Sequence, residues 1–312
     1  MAAIRTLDIT RSFKEVQALD RLSFEAAPGE IFGLVGPDGA GKTTTMRILA
    51  GIMRPDSGEA WILDRSVTRE PEAVKDHIGY LSQRFGLYPD LTVQENIRFY
   101  ADIYGVPRRE RETRMADLLA FSDLSPFKRR RAADLSGGMK QKLALACALI
   151  HTPRVLLLDE PTNGVDPISR RDFWKILYRL MKEGVTILVS TAYLDEAERC
   201  SRVGLIHKGR LLAEDTPAGI KGLVEAEILE VELNGARNAA DLLKREFGAD
   251  AVGLFGDRVH VESKSPADDE RKIRTILRRE SLPVTSIRSL APSLEDVFLS
   301  VMGSLEEKTG DE

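Results

Sequence analysis

The sequence predicts an α/β fold with a mostly parallel sheet, followed by a second, smaller α+β domain. Short apolar runs of strand character alternate with helical patterns between residues 31 and 190, which is typical of a parallel sheet with helices on its faces. A glycine-rich loop follows the first of these runs and leads into a helix. After residue 222 the predicted order becomes βαββαβ, which suits a ferredoxin-like sandwich. We therefore predict domains at 1–222 and 223–312.

The composition is that of an ordinary globular protein. The chain of 312 residues exceeds one typical domain, and 43% hydrophobic with 30% charged residues supplies enough apolar material for hydrophobic cores. The formal charge of -4 gives no bulk electrostatic reason to bind nucleic acid. We interpret the one dense basic run, at 128–131, as a solvated loop, and we expect no nucleic-acid partner.

Targeting and anchoring segments are not predicted. The N-terminus lacks the apolar stretch of a signal peptide, and no run approaches the roughly 18 apolar residues of a transmembrane helix. The two cysteines, Cys147 and Cys200, cannot build a disulfide framework, and Cys147 falls in an apolar helical pattern that predicts a buried thiol. We therefore expect a cytoplasmic chain whose membrane role comes through a partner.

The N-terminal domain is predicted to have strands, then a helical insertion, then strands again. Alternation of apolar and polar residues predicts strands at 4–9 and 22–26, and a short apolar run predicts a buried strand at 31–35. A helix at 43–50 stops before Gly51. The remaining predicted elements are helices at 92–105, 108–122 and 138–150 and strands at 155–158 and 185–190. Because strand signals are missing between about 90 and 150, these three helices form an insertion.

The C-terminal domain begins after the stretch 214–219, where the pattern of the first domain ends. Its predicted elements are a strand at 227–233, a helix at 237–247, strands at 250–255 and 258–263, a helix at 267–280, a strand at 284–290 and a helix at 293–303. This domain could bind a small regulator, but we favour a role as a spacer or in stabilising a dimer.

The loop after the strand at 31–35 matches the phosphate-binding pattern G-x-x-x-x-G-K-[ST] without a mismatch. Its glycines let backbone N–H groups close around phosphate oxygens, and the N-terminus of the following helix adds a partial positive charge. We expect Lys42 to reach the β and γ phosphates of a bound nucleotide and Thr43 to give its hydroxyl to Mg²⁺. The flanking strand and helix argue against a chance match. The predicted ATP-binding residues of this loop are Gly36, Pro37, Asp38, Gly39, Ala40, Gly41, Lys42, Thr43 and Thr44.

Two acids follow the buried strand at 155–158, at the end where α/β sheets bind ligands. Asp159 is placed to hold the Mg²⁺ shell, and Glu160 to polarise the attacking water as general base. The alternative is a pair of solvated carboxylates at the end of a strand. The glycine-rich loop favours the catalytic interpretation.

The run Leu135-Ser136-Gly137-Gly138-Met139-Lys140-Gln141 precedes Asp159-Glu160-Pro161-Thr162-Asn163-Gly164-Val165-Asp166. With these residues the sequence resembles the ATP-binding cassette (ABC) family, which implies a P-loop NTPase cassette with an antiparallel β subdomain and a helical subdomain. The family forms dimers in which Ser136, Gly137 and Gly138, the signature residues, would cap the ATP held by the other cassette. Met139 replaces the family's usual Gln. A plain helix cap and turn is the alternative.

The resemblance extends to three further positions. Gln83 corresponds to the family's Q-loop glutamine, which implies a catalytic role and a contact with Mg²⁺ or water. Phe13 corresponds to the aromatic residue that stacks on adenine, with an ordinary core position as the alternative. Asp166 corresponds to the D-loop aspartate, which implies a contact across the dimer.

Two stretches narrow the resemblance to cassettes of drug, antibiotic and polysaccharide exporters. They are residues 85–96, which begin at Phe85, and residues 291–298. The resemblance implies separate integral membrane permease subunits, which contact the helical insertion. It also implies a peripheral location on the inner face of the cell membrane.

One family residue is missing. The family places a switch histidine after the strand at 185–190, where this chain has Ala192, and the chain's four histidines lie elsewhere. Losing one such transition-state donor typically lowers a rate by about 10²–10³-fold. The chain is therefore either a slow homodimeric ATPase or part of an unequal heterodimer with a second cassette that keeps its histidine. We favour the heterodimer slightly.

Two other functions compete with an export ATPase. A soluble cassette acting on ribosomes, DNA or cluster assembly would carry paired cassettes, long coiled-coil insertions or strong basic patches, and none is predicted. A non-hydrolysing ATP-binding regulatory module is suggested by Ala192, but the retained Glu160 argues against it.

Overall fold

The structure is a computed structural model that describes residues 2–83, 86–223, 226–248 and 251–300. The chain divides into two compact units, Met1–Glu214 and Asp215–Glu312. The predicted boundary at 222/223 is therefore too late. The reason is that a short helix, α8 (Pro217–Lys221), follows the last strand of the first unit and groups with the second.

The centre of the first unit is a six-stranded sheet with the order β10-β9-β3-β8-β7-β6. Its strands are β3 (Ile31–Val35), β6 (Ile78–Leu81), β7 (Val155–Asp159), β8 (Thr186–Thr191), β9 (Arg202–His207) and β10 (Arg210–Asp215). Strand β3 pairs in parallel with β8 and β9, and β7 pairs in parallel with β6 and β8. Every residue of β3, β7 and β8 is buried, as expected for strands covered on both faces.

A second, antiparallel sheet of the first unit has the order β2-β1-β4-β5. Its strands are β1 (Ile4–Phe13), β2 (Val16–Ala26), β4 (Ser57–Ile62) and β5 (Arg65–Ser66). The predicted strands at 4–9 and 22–26 are too short, because register shifts between β1 and β2 interrupt the alternation from which strands are recognised.

Seven helices complete the described part of the first unit. They are α1 (Lys42–Leu49), α2 (Pro71–Lys75), α3 (Val93–Ile103), α4 (Arg108–Phe121), α5 (Gly137–Leu149), α6 (Pro167–Lys182) and α7 (Leu194–Ala197). Helices α3, α4 and α5 share one hydrophobic core and form the predicted helical insertion. Helix α1 contacts β7 and β8. In the described part of the chain, no helix combines the length and apolar character needed to cross a membrane.

The second unit contains the predicted βαββαβ order. The elements in that order are β11 (Glu227–Leu233), α9 (Ala236–Phe247), β12 (Val252–Phe255), β13 (Arg258–Ser263), α10 (Pro266–Arg279) and β14 (Val284–Leu290). The sheet order is β12-β13-β11-β14, with antiparallel neighbours, and the two helices pack on it around one core. Residues 294–300 are helical. Residue 250 of the predicted strand and residues 301–303 of the predicted last helix lie outside the described residues, as does Phe85.

Candidate functional site

The glycine-rich loop joins β3 to α1 and is closed tightly against its neighbours. A Cβ atom on Gly36 would lie 2.1 Å from the carbonyl oxygen of Ile206. At Gly41 a Cβ would lie 2.5 Å from the carbonyl oxygen of Ala18, and the backbone has φ +106°. Gly41 is also the N-cap of α1 and provides no side-chain cap, so the N–H groups of the first helical turn are available to an anion.

The other predicted loop residues differ in exposure. Pro37, Asp38 and Gly39 form the exposed rim of the loop. Ala40 is buried, and Thr44 is half-buried on the first turns of α1. The rim is therefore the part of the loop that a ligand can reach from solvent.

Lys42 is folded back into the loop. Its Nζ atom donates to the carbonyl oxygens of Gly36, at 2.8 Å, and Pro37, at 3.0 Å. The same atom lies 3.2 Å from Oε1 of Glu160, and both side chains of this ion pair are less than a tenth exposed. The two predicted ATP-site residues from distant parts of the chain are thus in direct contact, and an anionic ligand in the loop would compete with Glu160 for Lys42.

Asp159 is the last residue of β7, and its two carboxylate oxygens differ in their hydrogen bonding. Its Oδ1 atom accepts hydrogen bonds from the hydroxyls of Ser190, at 2.7 Å, and Thr43, at 3.1 Å. Its Oδ2 atom is buried and has no hydrogen-bond partner among the described residues. Burial raises the pKa of Asp159 above its usual value, against the opposing effect of the bonds from Ser190 and Thr43.

This arrangement fits a magnesium ion. Mg²⁺ prefers oxygen ligands, which Oδ2 of Asp159 and the hydroxyl of Thr43 supply. Within the described ranges no group of three or more His, Cys, Asp or Glu side chains could hold a metal by itself. Phosphate and water oxygens would therefore complete the coordination, as is usual for Mg²⁺ at nucleotide sites.

Glu160 has an unusual backbone conformation and several side-chain partners. Its φ of 48° lies in the left-handed region, which non-glycine residues rarely adopt and which is often found at functional sites. The backbone N–H donates to the carbonyl oxygen, at 3.1 Å, and the hydroxyl, at 3.0 Å, of Ser190. Oε2 accepts from the side-chain amides of Gln83, at 2.9 Å, and Asn163, at 3.2 Å. Gln83 thus contacts the proposed base directly in this structure.

Sequence reasoning missed Ser190 and Asn163 as site residues. Ser190 holds both acids, since it bonds Asp159 and the backbone of Glu160. A serine that ends the apolar run predicted as a strand at 185–190 was the available signal. Asn163 gave no signal beyond its position three residues after Glu160.

Phe13 lies at the end of β1 and is 42% exposed, so the alternative of an ordinary core position is wrong. The guanidinium of Arg11 lies 5.0 Å from the centre of its ring. Strand β2, which pairs with β1, contacts the glycine-rich loop where Gly41 approaches Ala18. Stacking of Phe13 on adenine stays a prediction.

The signature residues and Asp166 lie at the starts of α5 and α6. The hydroxyl of Ser136 accepts the Met139 N–H at 3.3 Å, and Oδ1 of Asp166 accepts the Ser169 N–H at 3.0 Å. Gly137 is exposed with open space beside it, whereas a Cβ on Gly138 would lie 2.5 Å from the side chain of Ser169. Within the chain, Ser136 and Asp166 therefore act as helix caps, and Gly138 permits the two helix starts to approach.

Ala192 directly follows β8 and is exposed. Its neighbour Tyr193 reaches toward the acids, since the hydroxyl of Tyr193 lies 3.4 Å from Oδ1 of Asn163. The side chain at 192 itself ends at a methyl group, which neither donates nor accepts a hydrogen bond.

A phosphate-binding loop, a buried strand ending in two acids and a parallel sheet define a P-loop nucleotide hydrolase. The ABC transporter family model matches residues 19–163. The probable multidrug ABC transporter ATP-binding protein YbhF of Escherichia coli is 42% identical over 280 residues, which are 88% of this chain and 47% of that protein. The chain thus spans about half the length of this relative.

Two further proteins are similar to this chain over nearly their whole length. Nod factor export ATP-binding protein I of Rhizobium etli is 35% identical over 313 residues, which are 99% of this chain and 96% of that protein. A dimeric structure of an ATP-binding cassette, in a post-hydrolysis state with ADP and Pi, has a TM-score of 0.63 and 26% identity, covering 68% of this chain and 98% of that chain. The chain belongs to the ATP-binding proteins of ABC transporters, whose cassettes are ATPases.

Proposed function

We propose that this chain is the ATP-hydrolysing subunit of an exporter, bound at the inner face of the cell membrane through separate integral membrane permease subunits. The observation that carries the proposal is the convergence of Lys42, Thr43, Asp159 and Glu160 at one end of the parallel sheet. The exporter assignment is supported by the relatives, one named for multidrug transport and one for Nod factor export.

Nucleotide binding exchanges the partners of Lys42. The ammonium, which lies 3.2 Å from Oε1 of Glu160, leaves it and takes the β and γ phosphates instead. The uncapped N-terminus of α1 contributes backbone N–H groups to the same phosphates. Mg²⁺, when bound by Thr43 and Asp159, supplies positive charge that offsets the charge of the phosphates. Binding of ATP therefore releases one oxygen of Glu160.

The released oxygen is the base. Oε1 of Glu160 becomes able to accept a proton from the attacking water once Lys42 has moved to the phosphates. The other oxygen, Oε2, stays hydrogen-bonded to Gln83 and Asn163, which keeps the carboxylate oriented. The Glu160 side chain is therefore already in place for hydrolysis, and the glycine-rich loop does not have to rearrange.

We further propose that two cassettes form each ATP site, with Ser136 and Gly137 of one chain capping the nucleotide held by Lys42 of the other. Exposure of Gly137 at an uncrowded helix start supports this role. A homodimer and an unequal heterodimer with a second cassette are both compatible with the site. The C-terminal unit is proposed to stabilise this dimer or to act as a spacer.

Mixing two inactive variants tests the shared site in a homodimer. Lys42→Ala disables the chain's own loop, and Ser136→Arg disables the surface offered to the partner. A mixed dimer keeps one intact site of two, so random pairing should restore about a quarter of the parent's activity. Restoration by mixing supports the shared site, whereas two variants that stay inactive in every mixture contradict a homodimeric motor.

A second candidate, a supporting cassette that hydrolyses poorly by itself, is favoured by one observation, the methyl group of Ala192 where the family has an imidazole. In that case Ala192→His should raise the hydrolysis rate of the purified chain, by up to about 10²-fold. Full activity that Ala192→His leaves unchanged would contradict the supporting role.

A further inference from the structure

The two oxygens of the Glu160 carboxylate have different kinds of partner. Oε1 faces the ammonium of Lys42 at 3.2 Å, and this partner is lost to the phosphates in the proposed cycle. Oε2 faces only neutral amides, those of Gln83 at 2.9 Å and Asn163 at 3.2 Å, among the hydrogen bonds that the structure describes. Neutral donors hold a carboxylate in place without the strong charge compensation that would make it a weak base. Orientation of the base therefore depends on these amides.

The amide of Asn163 is held at both ends. Its Nδ2 atom donates to Oε2 of Glu160, and its Oδ1 atom accepts from the hydroxyl of Tyr193 at 3.4 Å. The Glu160 carboxylate only accepts hydrogen bonds, so the NH₂ group of the amide has to face it, and the amide oxygen then faces the Tyr193 hydroxyl, which donates to it. The Tyr193 hydroxyl therefore holds the far end of the amide that bonds Glu160.

Tyr193 is itself anchored to the protein on two sides. Its backbone N–H donates to the Thr191 hydroxyl at 3.0 Å, and the guanidinium of Arg170 lies 4.7 Å from the centre of its ring. Both Thr191 and Arg170 contact the carboxylate of Glu196, which is fully buried, at 2.9 Å and 3.4 Å. A third contact to Glu196 comes from the hydroxyl of Thr162, next to Asn163 in the chain. The buried Glu196 carboxylate thus fixes the segments that carry Tyr193 and Asn163 relative to each other.

We propose that Tyr193 is a positioning residue for hydrolysis, acting through the Asn163 amide to orient the Glu160 carboxylate. This inference rests on the proposed function, in which Glu160 is the base. Tyr193 touches neither the carboxylate nor, by this assignment, the reacting atoms.

Removal of one hydroxyl tests the assignment. The purified full-length chain is compared with Tyr193→Phe under single-turnover conditions with Mg²⁺ and a range of ATP concentrations. We expect the maximal rate constant to fall about tenfold, the size expected for losing one orienting hydrogen bond, with an unchanged half-saturating ATP concentration. Tyr178→Phe is the matched control, because the Tyr178 hydroxyl bonds the carbonyl oxygen of Arg199, away from both acids.

A double-mutant cycle separates positioning from a structural effect. Asn163→Ala removes the residue through which Tyr193 acts, so adding Tyr193→Phe to Asn163→Ala should lower the rate by less than twofold more. Two independent tenfold losses would overturn the relay through Asn163. An unchanged maximal rate in Tyr193→Phe would overturn the inference outright, as would a loss of equal size in Tyr178→Phe.

Glu160→Gln distinguishes failure of the inference from failure of the proposed function. If Glu160→Gln is inactive while Tyr193→Phe matches the parent, only the role of Tyr193 is overturned. If Glu160→Gln keeps the parent's rate, the proposed base and the inference about Tyr193 are both overturned.

Discussion

The molecule has two buried clusters of oppositely charged side chains, one at the ATP site and one in the C-terminal unit. They differ in how many of their carboxylate oxygens have partners within the protein. At the ATP site, Oδ2 of Asp159 has no described hydrogen-bond partner, and Glu160 holds a lysine that phosphate is expected to take away. In the C-terminal unit, His260 bonds Oδ1 of Asp296 at 2.8 Å and lies 3.5 Å from Glu230. Asp296 also accepts the Ser293 N–H at 2.8 Å on its other oxygen.

This difference in hydrogen bonding indicates that the first cluster serves ligand binding and the second serves stability. A buried polar atom without a partner costs free energy, which a ligand can recover by binding there. A buried carboxylate whose oxygens all have protein partners contributes to the stability of the fold. We therefore expect the same chemical change, aspartate to asparagine, to have opposite consequences in the two clusters.

Asp159→Asn should have the largest effect, and it should be on catalysis alone. The amide cannot supply the negative oxygen for Mg²⁺, so we expect ATP hydrolysis to fall about 10³-fold. The free energy of unfolding without nucleotide should not decrease, because a neutral amide replaces a carboxylate with one partnerless oxygen. Hydrolysis assays and urea unfolding measure the two effects.

Asp172→Asn, on α6 beside Lys175, is the control for Asp159→Asn and should change neither quantity. If Asp159→Asn unfolded the protein easily, Asp159 would be part of the structural core rather than a site for a cation.

Asp296→Asn should have the reverse pattern. The side chain of Asp296 is 7% exposed and bonds both His260 and the Ser293 backbone. Replacing a charged acceptor by an amide should lower the local free energy of unfolding by about 1–3 kcal/mol while ATP hydrolysis is retained. Hydrogen exchange at the amides of β13 reports on this unit by itself. Asp268→Asn, an exposed residue paired with Arg271, is the control, and an equal loss there would contradict the comparison.

The smallest effect expected is a pH dependence from His260. Burial lowers the pKa of His260, but the hydrogen bond and charge of Asp296, followed by those of Glu230, outweigh burial and raise the pKa above its usual value. The other charged groups near this cluster are Arg258, which bonds Glu230 at 2.9 Å, and Glu295. While Asp296 and Glu230 stay charged, His260 should therefore contribute its full stability below about pH 6.5 and lose that contribution as the pH rises through its raised pKa.

A titration of the His260 ring by NMR checks this sign directly. We expect a pKa above about 6.5 in the parent chain and a lower pKa in Asp296→Asn, where burial dominates. A His260 pKa at or below the ordinary value in the parent would show that Asp296 and Glu230 do not outweigh the lowering of the pKa by burial.

Helical periodicity and continuous apolar runs were sufficient to predict the helices and strands that depend on local sequence. Helices α3, α4 and α5 were predicted at 92–105, 108–122 and 138–150, each within two residues of the observed ends. The three apolar runs became β3, β7 and β8, because strands buried on both faces need continuous apolar sequence. Strands β4, β5, β6, β9 and β10 were missed, since short strands in mixed sequence give no period of their own.

The site was predictable where a motif fixes chemistry and not where it depends on long-range contacts. The loop and the two acids follow from residue types and spacing. The left-handed backbone of Glu160, the ion pair of Lys42 and the position of Tyr193 depend on how β7 and β8 place their ends side by side. No local pattern encodes that placement, so the Tyr193–Asn163–Glu160 connection could be found only in three dimensions.

Single-turnover hydrolysis of ATP by the purified chain and by Glu160→Gln tests the central claim most directly. In the variant, Lys42 loses its charged partner, so ATP binding should be as tight as in the parent or tighter, while the rate of hydrolysis falls by about 10³-fold or more because the base is gone. Tight binding with lost hydrolysis is the result predicted. Hydrolysis at the parent's rate in Glu160→Gln would contradict the assignment of Glu160 as the base of this ATPase.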